Sequence, residues 1–97
     1  MKESLFQRLF EKRREVLNDI TISLHCSSER MSEYGLCDED VRVAIEKGKL
    51  YLEKCERPDK LGIVYYDGKK KESIVVIAKI LTDTIKVVTV WIEKGRR

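Results

Sequence analysis

Between about Lys2 and Asn18 the residues Leu5, Phe6, Leu9, Phe10, Val16 and Leu17 fall on one stripe at helical spacing, with Arg8, Glu11, Lys12 and Arg14 opposite. The pattern predicts an amphipathic helix. Its stripe either packs on the chain's own sheet or offers a surface to a partner or a second copy. At Asp19 the period changes to two, with Ile20, Ile22 and Leu24 on one side and Thr21 and Ser23 on the other, so a short strand is expected up to His25. Ser27 or Ser28 is then expected to cap a short helix running to about Tyr34, with Gly35 as its left-handed stop. A second helix follows, with Asp38 as its cap, Val41, Ala44 and Ile45 at i, i+3, i+4 spacing, and Gly48 at its end.

Beyond Gly48 the chain becomes rich in Ile, Val and Tyr, and Lys49 to Cys55, Leu61 to Tyr66, Ser73 to Leu81 and Ile85 to Glu93 are predicted as strands. Arg57-Pro58-Asp59-Lys60 fits a tight turn, Asp67-Gly68 opens a looser hairpin connection and Thr82-Asp83 makes a short one. Links this short favour a four-stranded antiparallel meander. Val75, Val76, Ile77 and Ala78 make one late strand apolar on both faces, as do Val87, Val88 and Val90 the next, so both faces of the sheet need covering. The two short helices can cover one face, leaving the N-terminal helix or a second subunit for the other. The expected fold class is α+β, with a helix over residues 1–18 and an α+β unit over 19–97 forming one compact domain.

At 97 residues, 42% hydrophobic and 38% charged, the chain can bury one core and does not have a disordered composition. The net charge of +3, from 20 Lys and Arg against 17 Asp and Glu, permits a polyanionic partner without demanding one. Its longest apolar run, Ile74 to Ala78, is far short of the roughly 20 residues of a membrane span, and the N-terminus does not lead into an apolar signal, so a cytoplasmic protein is expected. Cys26, Cys37 and Cys55 are odd in number and widely spaced, which fits neither a disulfide framework nor a paired-thiol zinc motif. One Gln and one Asn beside abundant Lys, Glu and Arg is a bias seen in proteins of thermophiles.

The segment Ile20 to His25, followed by Glu29-Arg30-Met31, Tyr34-Gly35-Leu36, Glu39-Asp40-Val41 and Ala44-Ile45, resembles a family of small uncharacterised domains related to BrnT and RelE-type toxins. The likeness continues to Val88-Thr89-Val90-Trp91, which looks like the closing strand of that family, and spans about residues 19 to 92. It implies the fold derived above. Toxins of the related superfamily are ribonucleases that cut messenger RNA and are held inactive by a cognate antitoxin, so the resemblance implies RNA and an antitoxin protein as partners.

Metal-independent RNA cleavage needs a base for the 2′-hydroxyl, cations for the developing phosphorane charge and an acid for the leaving oxygen. His25, the one histidine, is the candidate acid or base, and Arg30 is the candidate phosphate clamp. Placed in the first turn of its helix, Arg30 would oppose the helix dipole, although Glu33 and Tyr34 are spaced to pair with it. Tyr65, Tyr66 and Trp91 could stack on unpaired bases or pack in the core; adjacent tyrosines on a strand point to opposite faces, so at most one shares a surface with Trp91. Lys69, Lys70 and Lys71 could hold a phosphate backbone or keep their turn soluble. Within residues 73–81 and 85–93 only Lys79 and Lys86 are cationic, fewer than the RNA-facing strands of such toxins usually carry. No Gly-rich phosphate loop, paired-histidine zinc motif or serine elbow is present, so no cofactor or metal is expected. The alternative function is a non-catalytic interaction module, dimeric through Leu5, Phe6, Leu9 and Phe10.

Overall fold

A computed structural model describes residues 2–56 and 59–96; the Arg57-Pro58 half of the expected turn and the terminal Arg97 lie outside the described residues. Helix α1 (Lys2–Lys12) tightens into a 3₁₀ turn, Arg13–Val16, and strand β1 (Ile20–Ile22) follows. A wide turn of π type, Cys26–Met31, runs into the short α2 (Ser32–Tyr34), and α3 (Asp38–Lys47) leads directly into β2 (Lys49–Leu50). After a 3₁₀ turn, Leu52–Lys54, come β3 (Lys60–Asp67), β4 (Glu72–Ile80) and β5 (Ile85–Lys94).

The sheet has five strands in the order β1-β5-β4-β3-β2. The expected four-stranded antiparallel meander is thus corrected to a mixed sheet, because β1 adds to its edge, parallel to β5, through Ile20–Ile85, Thr21–Lys86 and Ile22–Val87. The turn before β5 anchors that edge: the Thr84 hydroxyl and the Ile85 N–H both donate to the Asp19 carbonyl, at 2.8 and 2.9 Å. At the opposite edge the expected strand from Lys49 to Cys55 shrinks to Lys49–Leu50. There the chain is bent by Cys55, whose Sγ accepts the Gly62 N–H at 3.2 Å and donates to the Tyr51 carbonyl at 3.4 Å. A side chain on Gly62 would strike the Tyr51 carbonyl and Lys54, so glycine there lets the bend lie close against β3.

All the helices lie on one face of the sheet. Phe6 and Val16 share a core with Cys26, Met31, Val41, Ala44 and Ile45 and with the sheet residues Leu61, Ile63, Ile74, Val76, Ala78, Ile80, Ile85, Val87 and Val90. The N-terminal helix therefore does not cover the second face, and its stripe is used within the chain, with Phe6 only 1% exposed. Of the rest of the stripe, Leu9 and Phe10 are partly buried against the core and Leu5 stays exposed. The second face, where Val64, Val75 and Ile77 are nonetheless buried, is covered in part by the Leu52–Lys54 turn. One β-bulge decides what it displays. Ile77 pairs with Thr89 and Ala78 with Val87, so Val88 is the extra residue. The one-residue shift lets both Val87 and Val90 face the core and turns Thr89 and Trp91 to the second face.

Arg13 explains why α1 lies beside α3. It is 3% exposed, and its guanidinium donates to the carbonyls of Ile45 (2.8 Å), Glu46 (3.2 Å) and Phe10 (2.8 Å) while stacking 3.6 Å from the centre of the Phe10 ring. Two of these acceptors belong to the last turn of α3, where backbone carbonyls have no partner within the helix and a cation is favoured. Gly48 ends α3 as expected, but in an extended conformation at φ −73° as the chain passes directly into β2, and a Cβ there would strike the Ala44 carbonyl and Ile63. Arg13 supplies the donors that a left-handed stop would have supplied. Burial, then the neighbouring Arg14, lowers its pKa without removing its charge.

At the other end of α3 the N-cap is Cys37, not Asp38, and the Asp40 carboxylate accepts both the Cys37 N–H (3.0 Å) and its thiol (3.3 Å). The backbone bond holds the Asp40 pKa below its usual value.

Two stability outcomes follow from these caps. Arg13→Ala is expected to lower the unfolding free energy by about 2–4 kcal/mol and Arg13→Lys by less, since one ammonium cannot reach all three carbonyls; a change under about 0.5 kcal/mol in urea unfolding of Arg13→Ala would show that water replaces the clamp. Because the folded Asp40 pKa is depressed, its contribution is full above the unfolded value of about 3.9 and is lost as pH falls through the folded pKa. Asp40→Ala should accordingly destabilise by about 1 kcal/mol at pH 7 and by much less near pH 2. Equal destabilisation at both pH values would count against the charged cap.

Candidate nucleic-acid interface

The helical segment carrying His25 starts earlier than expected. Ser23, not Ser27 or Ser28, caps it: its hydroxyl accepts the Cys26 N–H at 3.2 Å and its carbonyl accepts the Ser27 N–H at 2.9 Å. Arg30 therefore lies inside a helical run that continues through α2 to Tyr34, not in its first turn, and the electrostatic argument for a special role disappears. Glu33 and Tyr34 do not pair with Arg30, which makes no ion pair within 4 Å among the described residues. Its charge still reaches the buried Cys26 thiol, whose pKa burial raises against the opposing pull of a Val90 backbone hydrogen bond and Arg30.

His25 is open to solvent, with its side chain 69% exposed, and its Nδ1 lies 3.0 Å from Glu29 Oε2, one helical turn on. A pair this exposed contributes little to stability. Its chemical effect is orientation: Glu29 favours the proton on Nδ1, which leaves Nε2 as the outward lone pair. Arg30 stands five residues beyond His25, about one turn of a π-type helix, on the same segment.

The remaining candidates do not assemble around His25. Lys69, Lys70 and Lys71 form the exposed β3–β4 hairpin, beyond the end of the sheet where Glu72 pairs with Lys94. β1, which leads to His25, pairs only with the Ile85–Val87 end of β5. The hairpin is shaped by Asp67, whose carboxylate accepts the N–H groups of Lys69 and Lys70. Tyr65 packs against the helix-side core, so Tyr66, not Tyr65, shares a face with Trp91. Trp91 is half-buried, donates from Nε1 to Glu93 at 2.8 Å and has the Lys54 ammonium 5.9 Å from its ring centre.

The second face also holds a feature that the sequence reading missed. Lys60 pairs directly with Lys79, and Lys79 with Lys86, so three lysines stand side by side across β3, β4 and β5. Directly paired residues point the same way, and these alternate with the core residues Leu61, Ala78, Ile80, Ile85 and Val87, so the ammonium groups project from the second face. Like charges in direct register oppose sheet formation, and among the described residues none of the three has an ion pair within 4 Å. Lys60 and Trp91 line one hollow of about 280 Å³ together with Thr89 and Lys54, and Glu53 and Glu56 border it. At its other side the row reaches Thr21 of edge strand β1, four residues before His25. The row was implicit in the two turns: counting equal steps back from Asp67–Glu72 and Ile80–Ile85 brings the three lysines into line.

Among the described residues no three His, Cys, Asp or Glu side chains gather where they could hold a metal ion, and no helix is long and apolar enough to cross a membrane. No curated protein and no solved structure matches the chain. Residues 22–92, from the last residue of β1 to Ile92 near the end of β5, match a family described as a domain of unknown function, DUF4258. As that match covers most of the chain, the protein belongs to the DUF4258 family.

Proposed function

We propose that the protein binds single-stranded RNA on the second face of its sheet and cuts it at His25 without a metal, the activity implied by its resemblance to uncharacterised domains related to RelE-type toxins. The observation that carries this reading is the in-register row of Lys60, Lys79 and Lys86, an arrangement that disfavours the sheet alone and favours it once a polyanion lies across it. Trp91, in the hollow shared with Lys60, offers a ring for a base, and the row ends beside the strand that leads to His25. These residues replace Tyr65 and Lys69 to Lys71 as the binding surface.

In the proposed reaction His25 Nε2 takes the proton of a ribose 2′-hydroxyl while its Nδ1–H is held by Glu29. The 2′-oxygen attacks the adjacent phosphorus, and Arg30 offsets the charge that develops on the phosphoryl oxygens. The bond from phosphorus to the 5′-oxygen breaks as that oxygen takes a proton from water, the hydroxide so formed takes back the proton held by His25, and the products are a 2′,3′-cyclic phosphate and a 5′-hydroxyl. A cognate antitoxin would inhibit by covering this face.

The test uses mixed-sequence single-stranded RNA in the presence of chelator. Cleavage is expected at discrete sites, falling about 10²- to 10⁴-fold in His25→Ala. Lys79→Gln and Lys86→Gln should weaken RNA binding and each reduce the slope of log affinity against log salt by about 0.7. Undiminished cutting by His25→Ala would remove His25 from the reaction. Binding without any cutting would leave a non-catalytic RNA-binding module, and Lys→Gln variants that bind like the parent would remove the interface.

A further inference from the structure

The opposite end of the second face carries a separate site. Beyond β5, Gly95 adopts φ +80°, a conformation that favours glycine, and its N–H donates to the Lys71 carbonyl at 3.0 Å. The wholly buried Ser73 hydroxyl donates to the Gly95 carbonyl at 2.5 Å. These bonds turn the chain back across the sheet and set the Arg96 guanidinium 4.6 Å from the centre of the Tyr66 ring. Lys47, from the last turn of α3, and Lys49, from β2, complete a cavity of about 340 Å³ with Arg96, Tyr66 and Val64.

We propose that this cavity binds a nucleoside monophosphate. Its three cations are without an ion pair within 4 Å among the described residues, and no carboxylate lines the cavity among those residues. A phosphate monoester, carrying close to two negative charges at neutral pH, matches that balance. The carbonyl end of α3 would ordinarily repel an anion here, but its Ile45 and Glu46 carbonyls already accept from Arg13. The Tyr66 ring holds the flat Arg96 guanidinium, and a nucleobase takes that place on the ring as Arg96 turns to the phosphate; the cavity volume falls in the small-ligand range. The site lies about 20 Å along β3 from the lysine row, six residues at strand rise, and the assignment does not depend on the ribonuclease reading.

The assignment is tested by titrating the full chain with adenosine monophosphate, adenosine and inorganic phosphate, following backbone amides by NMR and affinity by calorimetry. The monophosphate should shift the amides of Lys49, Tyr66 and Arg96 and bind at least about tenfold more tightly than either fragment, because only it engages both ring and cations. Arg96→Gln and Lys49→Gln should each weaken it about tenfold, whereas Lys79→Gln, in the distant row, should leave it unchanged. Arg96 lies beyond the last strand, so its replacement tests the site without disturbing the fold. Displacement of the monophosphate by a 5′-phosphorylated oligoribonucleotide but not by its 5′-hydroxyl form would support the site as a receptor for strand ends; displacement by neither would support it as a receptor for the free nucleotide. Absence of shifts at those amides at millimolar ligand, equal affinity for inorganic phosphate, or unchanged binding by the Arg96 and Lys49 variants would overturn the assignment.

Discussion

The arrangement of this fold depends on the need of one helix terminus for hydrogen-bond donors. Helix α3 runs directly into β2 through an extended Gly48, a link too tight for the left-handed turn that would return N–H groups to the last carbonyls. The guanidinium of Arg13 supplies those donors from another element, and its planar fork reaches two successive carbonyls of α3 and one of α1 at once. That geometry holds α1 on the side of the sheet where α3 already lies. Among the described residues no carboxylate lies within 4 Å of this buried cation, and carbonyl dipoles, the helix terminus and the Phe10 ring take the place of a counter-ion. With every helix committed to one face, the second face is left to a 3₁₀ turn and the returning chain end.

What that face displays is set by the bulge at Val88. Without it, Trp91 would keep the parity of Ile85 and Val87 and enter the core; with it, Trp91 stands opposite Val75 on the far side while Val90 fills the core position. The Trp91 indole and the Tyr51 hydroxyl both donate to the Glu93 carboxylate, so the edge segment after β2 is fastened beside the exposed part of the ring. The hollow between them is consequently held by hydrogen bonds from two segments far apart in sequence.

Hydrophobic periodicity located every major element, because α1, α3 and strands β3 to β5 each carry enough apolar positions to reveal their period. Errors arose where a single polar contact overrides the pattern. Ser23 starts the His25 segment earlier than Ser27 or Ser28 would, and Cys55 bends the chain where Lys49 to Cys55 was expected to continue as a strand. Arg13 had a visible sign: it lies three residues after Phe10 and three before Val16, on the apolar stripe, where a charge needs buried partners. The addition of β1 to the sheet had none, since three residues that fit any strand edge do not specify which edge they join. For the candidate site, composition picked out His25 and Trp91, but grouping of side chains depends on register, and only register distinguishes Tyr66 from Tyr65 and adds Lys60 to Lys79 and Lys86.

The lysine row also shows how the fold accommodates an unfavourable local choice. Unit charges 4 Å apart in water repel by about 1 kcal/mol, and flexible lysine stems splay to reduce this, so the row costs less than burying even one of the valines or isoleucines that flank it contributes. Strand β4 has that reserve, with Val75 and Val76 both fully buried on opposite faces. The sheet thus tolerates the row without neutralising it, and the charge stays available to an anion from outside. Added salt screens the repulsion within the row and its attraction for an outside anion together. Cations without an ion pair among the described residues stand at both ends of the second face, at Lys60, Lys79 and Lys86 and at Lys49 and Arg96, because the helices that bury the first face leave this one open.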